Sequence, residues 1–266
     1  MTSAQQQDLV LIDVSANSVA VLTLNRPAAL NALTTELVVA ISDALGQLAG
    51  RADTRVVVLT GSGDRAFCAG ADLKQRDGMS DEEWAAQHAL FEATFDRLRS
   101  FEKPVVAVVN GVAAGGGLEL AMSCDFIVAS ETARFGQPEA SRGIMPGLGG
   151  SQLLPRLVPH GLAAELLLTG RLIDAGEAQR AGLVTHVYPP DELLASAISL
   201  AEAIAANSPM AVLQIRRALR AGRGKPLDEA LQIELDCYRE TVTHPDRREG
   251  VRAFNEGRTP KFADPE

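Results

Sequence analysis

The chain has 266 residues, enough for one large domain or a domain with an appended lobe; 46% are hydrophobic but only 4% aromatic, so Ala, Val, Leu and Ile must build a closely packed interior. Twenty-five basic residues against 34 acidic ones leave a net charge of -9, the wrong sign for a protein that works on phosphate backbones; this excludes nucleic acid as the main partner but leaves room for one basic pocket. No segment approaches the roughly 18 apolar residues of a membrane span, MTSAQQQDLV lacks the basic and apolar stretches of a secretory signal, and three scattered cysteines read as reduced thiols of a cytoplasmic protein.

VLIDVS and VAVLTLN, separated by SANS, predict a hairpin that leads to Arg26 and Pro27. TTELVVAISDALGQLAG has helical periodicity, with Thr34 or Thr35 as N-cap and Gly50 as stop. RVVVLTG is an apolar run of strand length, as expected of a strand covered on both faces. From Asp81 to Phe101, Trp84, Leu90, Phe91, Phe95 and Leu98 recur at mostly three- and four-residue spacing and predict an amphipathic helix. KPVVAVVNG is the next buried strand; it runs into GVAAGGGLELAMS, a glycine-rich turn opening a helix, and CDFIVAS is a further strand. The recurring strand, glycine turn and helix argue for an α/β core. After about residue 190 four helical segments follow, the second with Ser208 as N-cap and Pro209 in its first turn. The expected division is therefore a core over 1–195 and a helical region over 196–266 whose apolar stripes need a partner surface.

Two glutamates stand out as candidate chemistry, because Glu119 and Glu139 each close a glycine-containing segment almost free of other charge. A carboxylate buried without partners is strongly disfavoured, and two close together tend to share a proton, so one can act as acid and the other as base. The competing readings are a solvated helix position for Glu119 and a charge near a short helix N-terminus for Glu139. Glycine turns at Ala69–Asp72 and Gly115–Gly117 expose backbone N–H groups that could hold a negative oxygen, or else simply permit close packing. GSGDRA from Gly61 imitates a dinucleotide fingerprint but lacks the amphipathic helix that should follow. No GxxxxGK[ST], GxSxG or HExxH is present; Cys68 reads as a small buried residue, and His88, His160, His186 and His244 as surface or packing residues.

CAGADLK (68–74), NGVAAGGGLELAMSCD (110–125), FGQPEASRGIMPGLGGSQLLPR (135–156) and LTGRLIDAGEAQRAGLV (168–184), with LNRPAALNAL before them and EGVRAFNEGRTPKF after, resemble in order the signatures of the crotonase superfamily, and most closely those of enoyl-CoA hydratases. The resemblance implies a spiral of ββα repeats with a C-terminal helical region that builds trimers, or a dimer of trimers. It implies an oxyanion hole from the N–H groups of Ala71 and Gly116, a water held between Glu119 and Glu139, and Gly147 as a further water-positioning N–H. By the same resemblance coenzyme A lies along Arg26, Ala28, Leu30, Ala69, Asp72, Leu73 and Lys74, with Phe254 approaching from a neighbouring subunit; the acyl chain is enclosed by the segment from Gln75 to Phe95, including Trp84. The chain departs from the family where members often have lysine, at Ala28 and, in some, at Gly257. The implied reaction is reversible addition of water to a trans-2-enoyl-CoA, in fatty-acid or related acyl-CoA breakdown, with no cofactor beyond the substrate's own coenzyme A. The alternatives are an enoyl-CoA isomerase, or a non-catalytic acyl-CoA- or RNA-binding member; both glutamates favour hydration.

Overall fold

In the computed structural model, which describes residues 8–263, strands β1 (Val10–Val14) and β2 (Val19–Leu24) form the expected antiparallel hairpin. A short 3₁₀ turn and helix α1 (Thr35–Ala49) follow, the Thr34 side chain accepting from the Leu37 N–H at 3.2 Å as its N-cap. From there the chain repeats one motif. Strand β3 (Val56–Gly61) is followed by the short β4 (Ala66–Cys68) and by helices α2 (Leu73–Arg76) and α3 (Asp81–Ser100). Strand β5 (Val105–Val109) is followed by β6 (Val112–Ala114) and α4 (Gly116–Met122). Strand β7 (Phe126–Ser130) is followed by β8 (Arg134–Gly136), α5 (Gly150–Leu153) and α6 (His160–Thr169). Each turn of the spiral thus gives one strand to each of two sheets and then a helix.

Strands β9 (Leu172–Asp174) and β10 (His186–Tyr188), with α7 (Ala175–Arg180) between them, close the two sheets, whose orders are β1-β2-β3-β5-β7-β10 and β4-β6-β8-β9. In the larger sheet β2, β3, β5, β7 and β10 pair in parallel. Its side chains alternate strictly. Val57, Leu59, Val105, Ala107 and Val109 face the interior shared with α1, α3 and the second sheet, while Val56, Val58, Val106, Val108 and Val128 face α8 (Leu193–Ala205). Period-two alternation between two apolar layers explains why these runs are apolar on both sides, apart from Thr60, whose hydroxyl donates to the Val108 carbonyl at 2.9 Å. Helix α8 answers with Leu193, Ala197, Ala201 and Ala205, one face of a helix at four-residue spacing.

The remaining helices are α9 (Pro209–Gly222), α10 (Leu227–Thr243) and α11 (Pro245–Glu256). Arg216 of α9 ties this region to the core: its Nε donates to both Asp125 carboxylate oxygens at 2.7 Å and its Nη1 to the Phe101 carbonyl. Helix α10 buries no residue at all in the single chain. Among the described residues no single helix is long and apolar enough to cross a membrane.

The second sheet escapes sequence reading because its strands are three residues long, below the length at which a period of two can be recognised. They form by pairing with one another, β4, β6 and β8 soon after the chain leaves β3, β5 and β7, and β9 after α6. Helix α4 can then lie directly on β4 because Gly117 has no side chain: a β-carbon there would sit 1.9 Å from the Cys68 carbonyl oxygen.

Candidate active site

Pairing of β6 with β8, which sets Ala114 opposite Gly136, brings the two glutamates to one place. Glu119 projects from the first turn of α4, and Glu139 from the 3₁₀ turn Pro138–Arg142 that follows β8. Between them lies Gly115, at φ 54° and ψ -127°, conformations open to glycine; a β-carbon there would meet Glu139 Oε1 at 2.8 Å. The residue is bare because the carboxylate occupies the space.

Glu119 is 2% exposed, so the solvated reading of this helix position does not hold. Its Oε1 accepts from the Leu148 N–H at 2.8 Å and the Gly150 N–H at 2.7 Å, which leaves Oε2 without a partner among the described residues. Burial raises its pKa, while those two bonds and the charges of His88 and Arg99 oppose the rise. Glu139 is 9% exposed, and burial pushes its carboxyl up to about 7; the neighbouring Glu119 charge adds to the rise, and its own backbone hydrogen bond and Arg142 work against it. Fully buried Gln137, with its amide turned so that both ends are satisfied, donates to both Glu139 oxygens at 3.0 Å. Two buried carboxyls in one pocket, each with its pKa raised by burial, are suited to acid–base chemistry on a neutral substrate.

Across the pocket the loop 69–72 is pinned to the loop 30–33. Ala69 N–H donates to the Leu30 carbonyl at 3.1 Å, Leu33 N–H to Gly70 at 2.8 Å and Asp72 N–H to Leu33 at 2.9 Å. The Ala71 N–H is left over, and so is the Gly116 N–H at the start of α4; neither has an acceptor among the described residues. A β-carbon placed on Gly116 would lie 3.7 Å from the Ala71 nitrogen, so the two donors face one small space. Paired free N–H groups of this kind stabilise an oxygen that gains negative charge. The Gly147 N–H likewise has no acceptor among the described residues, and Gly147 lines the same cavity.

The cavity that holds these groups has a volume of about 770 Å³. Ala69, Leu73 and the backbone around Ala71 form one wall, and Trp84, His88 and Phe91, on one face of α3, another. The sequence reading placed none of Leu148, Gly150, Gln137 or His88 in the site. Backbone donors leave no trace in residue type, and a neutral glutamine beside a glutamate creates no charge anomaly.

Arg26 has partners within the protein. Its Nη1 and Nη2 each lie 3.2 Å from Asp72 Oδ2, and Nη1 also donates to the Ala32 carbonyl at 2.5 Å. Asp72 in turn caps α2 by accepting from the Lys74 and Gln75 N–H groups. Beside them Leu30 and Asn31 both take φ 54°, and buried Asn31 accepts from the Arg26 N–H at 2.9 Å and donates to the Ala66 and Ser62 carbonyls at 2.9 and 3.1 Å. Ala28 lies in the 3₁₀ turn of that loop, Lys74 is exposed on α2, and Phe254 is 86% exposed on α11, away from the cavity lining within one chain. Cys68 is sealed in the core, and burial pushes its thiol up to about 12, which removes it as a nucleophile. Among the described residues no group of three His, Cys, Asp or Glu side chains is disposed to hold a metal ion.

A family model described as enoyl-CoA hydratase/isomerase matches residues 15–265. The chain is 43% identical to a putative enoyl-CoA hydratase/isomerase, YngF, of Bacillus subtilis over 94% of its own length and 96% of that protein. It is 42% identical to a short-chain-enoyl-CoA hydratase of Clostridium acetobutylicum over 90% of its length and 92% of that protein. The crystal structure of an enoyl-CoA hydratase from Bacillus anthracis superposes with a TM-score of 0.94 at 42% identity, covering 96% of this chain and 99% of that one.

Proposed function

The chain belongs to the enoyl-CoA hydratase/isomerase family and its activity is that of an enoyl-CoA hydratase, and from that premise we propose how its pocket performs the reaction. The thioester carbonyl oxygen of a trans-2-enoyl-CoA lies between the N–H groups of Ala71 and Gly116, which stabilise it as negative charge moves onto it. Water sits between Oε2 of Glu119, the Glu139 carboxyl and the Gly147 N–H. Glu119, anchored through Oε1, draws the proton from the water as its oxygen attacks the β-carbon. Glu139, held near half-protonation at neutral pH by its raised pKa, delivers a proton to the α-carbon as the enolate collapses. One C–O and one C–H bond form, the double bond is consumed, and the product is a 3-hydroxyacyl-CoA; the steps reverse for dehydration.

The observation that carries this reading is the pairing of two buried carboxyls in one cavity with the two free N–H groups opposite. Loss of conjugated-enoyl absorbance with crotonyl-CoA tests it. Glu119→Gln and Glu139→Gln should each lose about 10²- to 10⁴-fold in kcat while remaining folded. A wild-type protein that binds crotonyl-CoA without consuming it, or that acts only on 3-enoyl-CoA, would remove the hydration reading.

Coenzyme A, in this proposal, runs along Ala28, Leu30, Ala69, Asp72, Leu73 and Lys74, with Arg26 holding that wall through Asp72. The protein assembles as a trimer or a dimer of trimers: Leu227, Leu231, Leu235 and Tyr238 form an exposed apolar face on α10, and Phe254 stands clear of its own chain, positioned to meet a neighbour's ligand. The division into a core over 1–195 and an assembling region over 196–266, the cytoplasmic location and the absence of any further cofactor belong to the same proposal. The net charge of -9 supports a small-molecule partner over nucleic acid.

A further inference from the structure

Beyond the two carboxyls, the cavity wall carries a cation that the protein does not neutralise. Arg76, the last residue of α2, is 8% exposed, with its guanidinium carbon 4.3 Å from the Trp84 ring centroid and 5.4 Å from that of Phe91. Its Nε donates to Gln87 Oε1 at 2.8 Å, and Gln87 donates in turn to Thr35 Oγ1 and Gln75 Oε1, both at 2.9 Å. The guanidinium plane is therefore fixed with one of its five N–H groups. Nη1 and Nη2 have no acceptor, and no carboxylate pairs with Arg76 among the described residues. Glu92 pairs with His88 at 3.2 Å and Glu36 accepts from the Gln75 amide at 3.2 Å, and neither is paired with Arg76.

These free N–H groups are not sealed in the core. Among the described residues the side-chain atoms that are sealed without a partner are Thr54 Oγ1, Ser62 Oγ and Arg216 Nη2; the two Arg76 nitrogens are not among them, and Arg76 and Trp84 both line the active-site cavity. Burial disfavours the charge of Arg76, and the two aromatic faces beside it work against that cost. An arginine held in a fixed plane, its outer edge open to a cavity, is built to receive a planar anion.

The position in the pocket says which part of the ligand it meets. With the carbonyl oxygen at Ala71 and Gly116, the α- and β-carbons lie by Glu139 and Glu119. The acyl chain then continues past Glu119 toward His88, which influences that carboxylate, and toward Trp84, one turn of α3 further, where Arg76 lies. Coenzyme A leaves on the other side, along the loop of Arg26 to Leu30. We propose that Arg76 is a specificity-determining residue that binds a carboxylate at the far end of the acyl chain, so that the favoured substrates are trans-2-enoyl-CoA thioesters of dicarboxylic acids. This rests on the hydratase reading and deepens it. A buried donor pair left unpaired by a plain alkyl chain discriminates against that chain, as sites built around a hydrogen bond do.

Matched substrates test it with the whole protein: trans-2-pentenoyl-CoA against glutaconyl-CoA, and trans-2-hexenoyl-CoA against trans-2-hexenedioyl-CoA. The wild type should favour one carboxylated member by at least about tenfold in kcat/KM, and Arg76→Met should lower that ratio by about 10- to 100-fold. Arg76→Lys, which keeps the charge but not the fork, should fall between. Equal or reversed preference in the wild type overturns the proposal without any variant, and so does a ratio that Arg76→Met leaves unchanged. Binding separates this from the reaction itself. Quenching of Trp84, the single tryptophan of the chain, should show adipyl-CoA binding more tightly than hexanoyl-CoA, and the difference should vanish in Arg76→Met. If that difference appears with no hydration of any enoyl-CoA, the hydratase reading fails and the role of Arg76 stands. Hydration with no binding difference overturns the role of Arg76 and leaves the hydratase reading intact.

Discussion

Replacing Glu139 by glutamine should make the protein more stable in alkaline solution and leave it little changed in acid. The carboxyl is pushed from an ordinary 4.5 to about 7 in the folded chain, so the folded state holds this proton more tightly than the unfolded state does. The sign follows from linkage. The contribution favouring folding is complete below about pH 4.5 and disappears as pH rises through about 7. At about 1.36 kcal/mol per pH unit the gap sets a ceiling of about 3 kcal/mol, which solvent in the open cavity reduces to roughly 1–2 kcal/mol. Glutamine has nearly the same shape, retains an acceptor for Gln137 and carries no charge, so it escapes the penalty. With an unfolding entropy of about 2.1 cal/mol/K per residue, a chain of 266 residues should shift by about 2–4 °C. Melting temperatures of wild type and Glu139→Gln, measured from about pH 5 to pH 9, give a difference curve in which the other titrating groups largely cancel. The glutamine variant should gain on the wild type as pH rises through about 7. A flat difference curve, or a gain confined to the acid side, would refute the reasoning that burial rather than hydrogen bonding dominates at this carboxyl.

Two further substitutions probe the frame around the pair. Gly115→Ala places a β-carbon 2.8 Å from Glu139 Oε1 at a backbone angle that alanine rarely adopts; it should cost about 1–3 kcal/mol of stability and at least about tenfold in kcat, read by thermal melting and by crotonyl-CoA hydration. Arg26→Met removes the partner of Asp72, so the loop that carries the Ala71 N–H loses its brace. The expected result is a fall in kcat accompanied by a higher KM, whereas a change in KM alone would show that Arg26 acts only as a coenzyme A contact.

What the sequence disclosed depended on whether a feature was local. The continuous apolar runs behind β3 and β5, the cap at Thr34 or Thr35 and the four closing helices are all properties of consecutive residues, and the structure has strands, a Thr34 cap and helices at those places. Glu119 and Glu139 were visible because a charge among glycines and leucines is itself an anomaly. The partners of those charges were not visible. Leu148 and Gly150 contribute through peptide nitrogens, to which side-chain identity is silent. Arg26 and Asp72 lie 46 positions apart, so their pairing exists only once the loops meet. Likewise β4 and β8 are strands only because β6 lies between them. In the sequence Arg76 is one more cation in the polar stretch LKQRDG, and only the rings of Trp84 and Phe91, brought over from α3, give it a distinct character.

Asn31 bears on when the site takes shape. With its side chain bonded to Arg26, Ser62 and Ala66, and with Leu30 beside it also left-handed, it rivets the loop from Arg26 to Leu33 to the segment leaving β3. Those contacts form within the core, before any thioester arrives. The conformational entropy of this wall is therefore lost during folding, and a ligand meets donors already aimed. Association with a short acyl-CoA should then be a single fast step, with no slow ordering phase following the encounter.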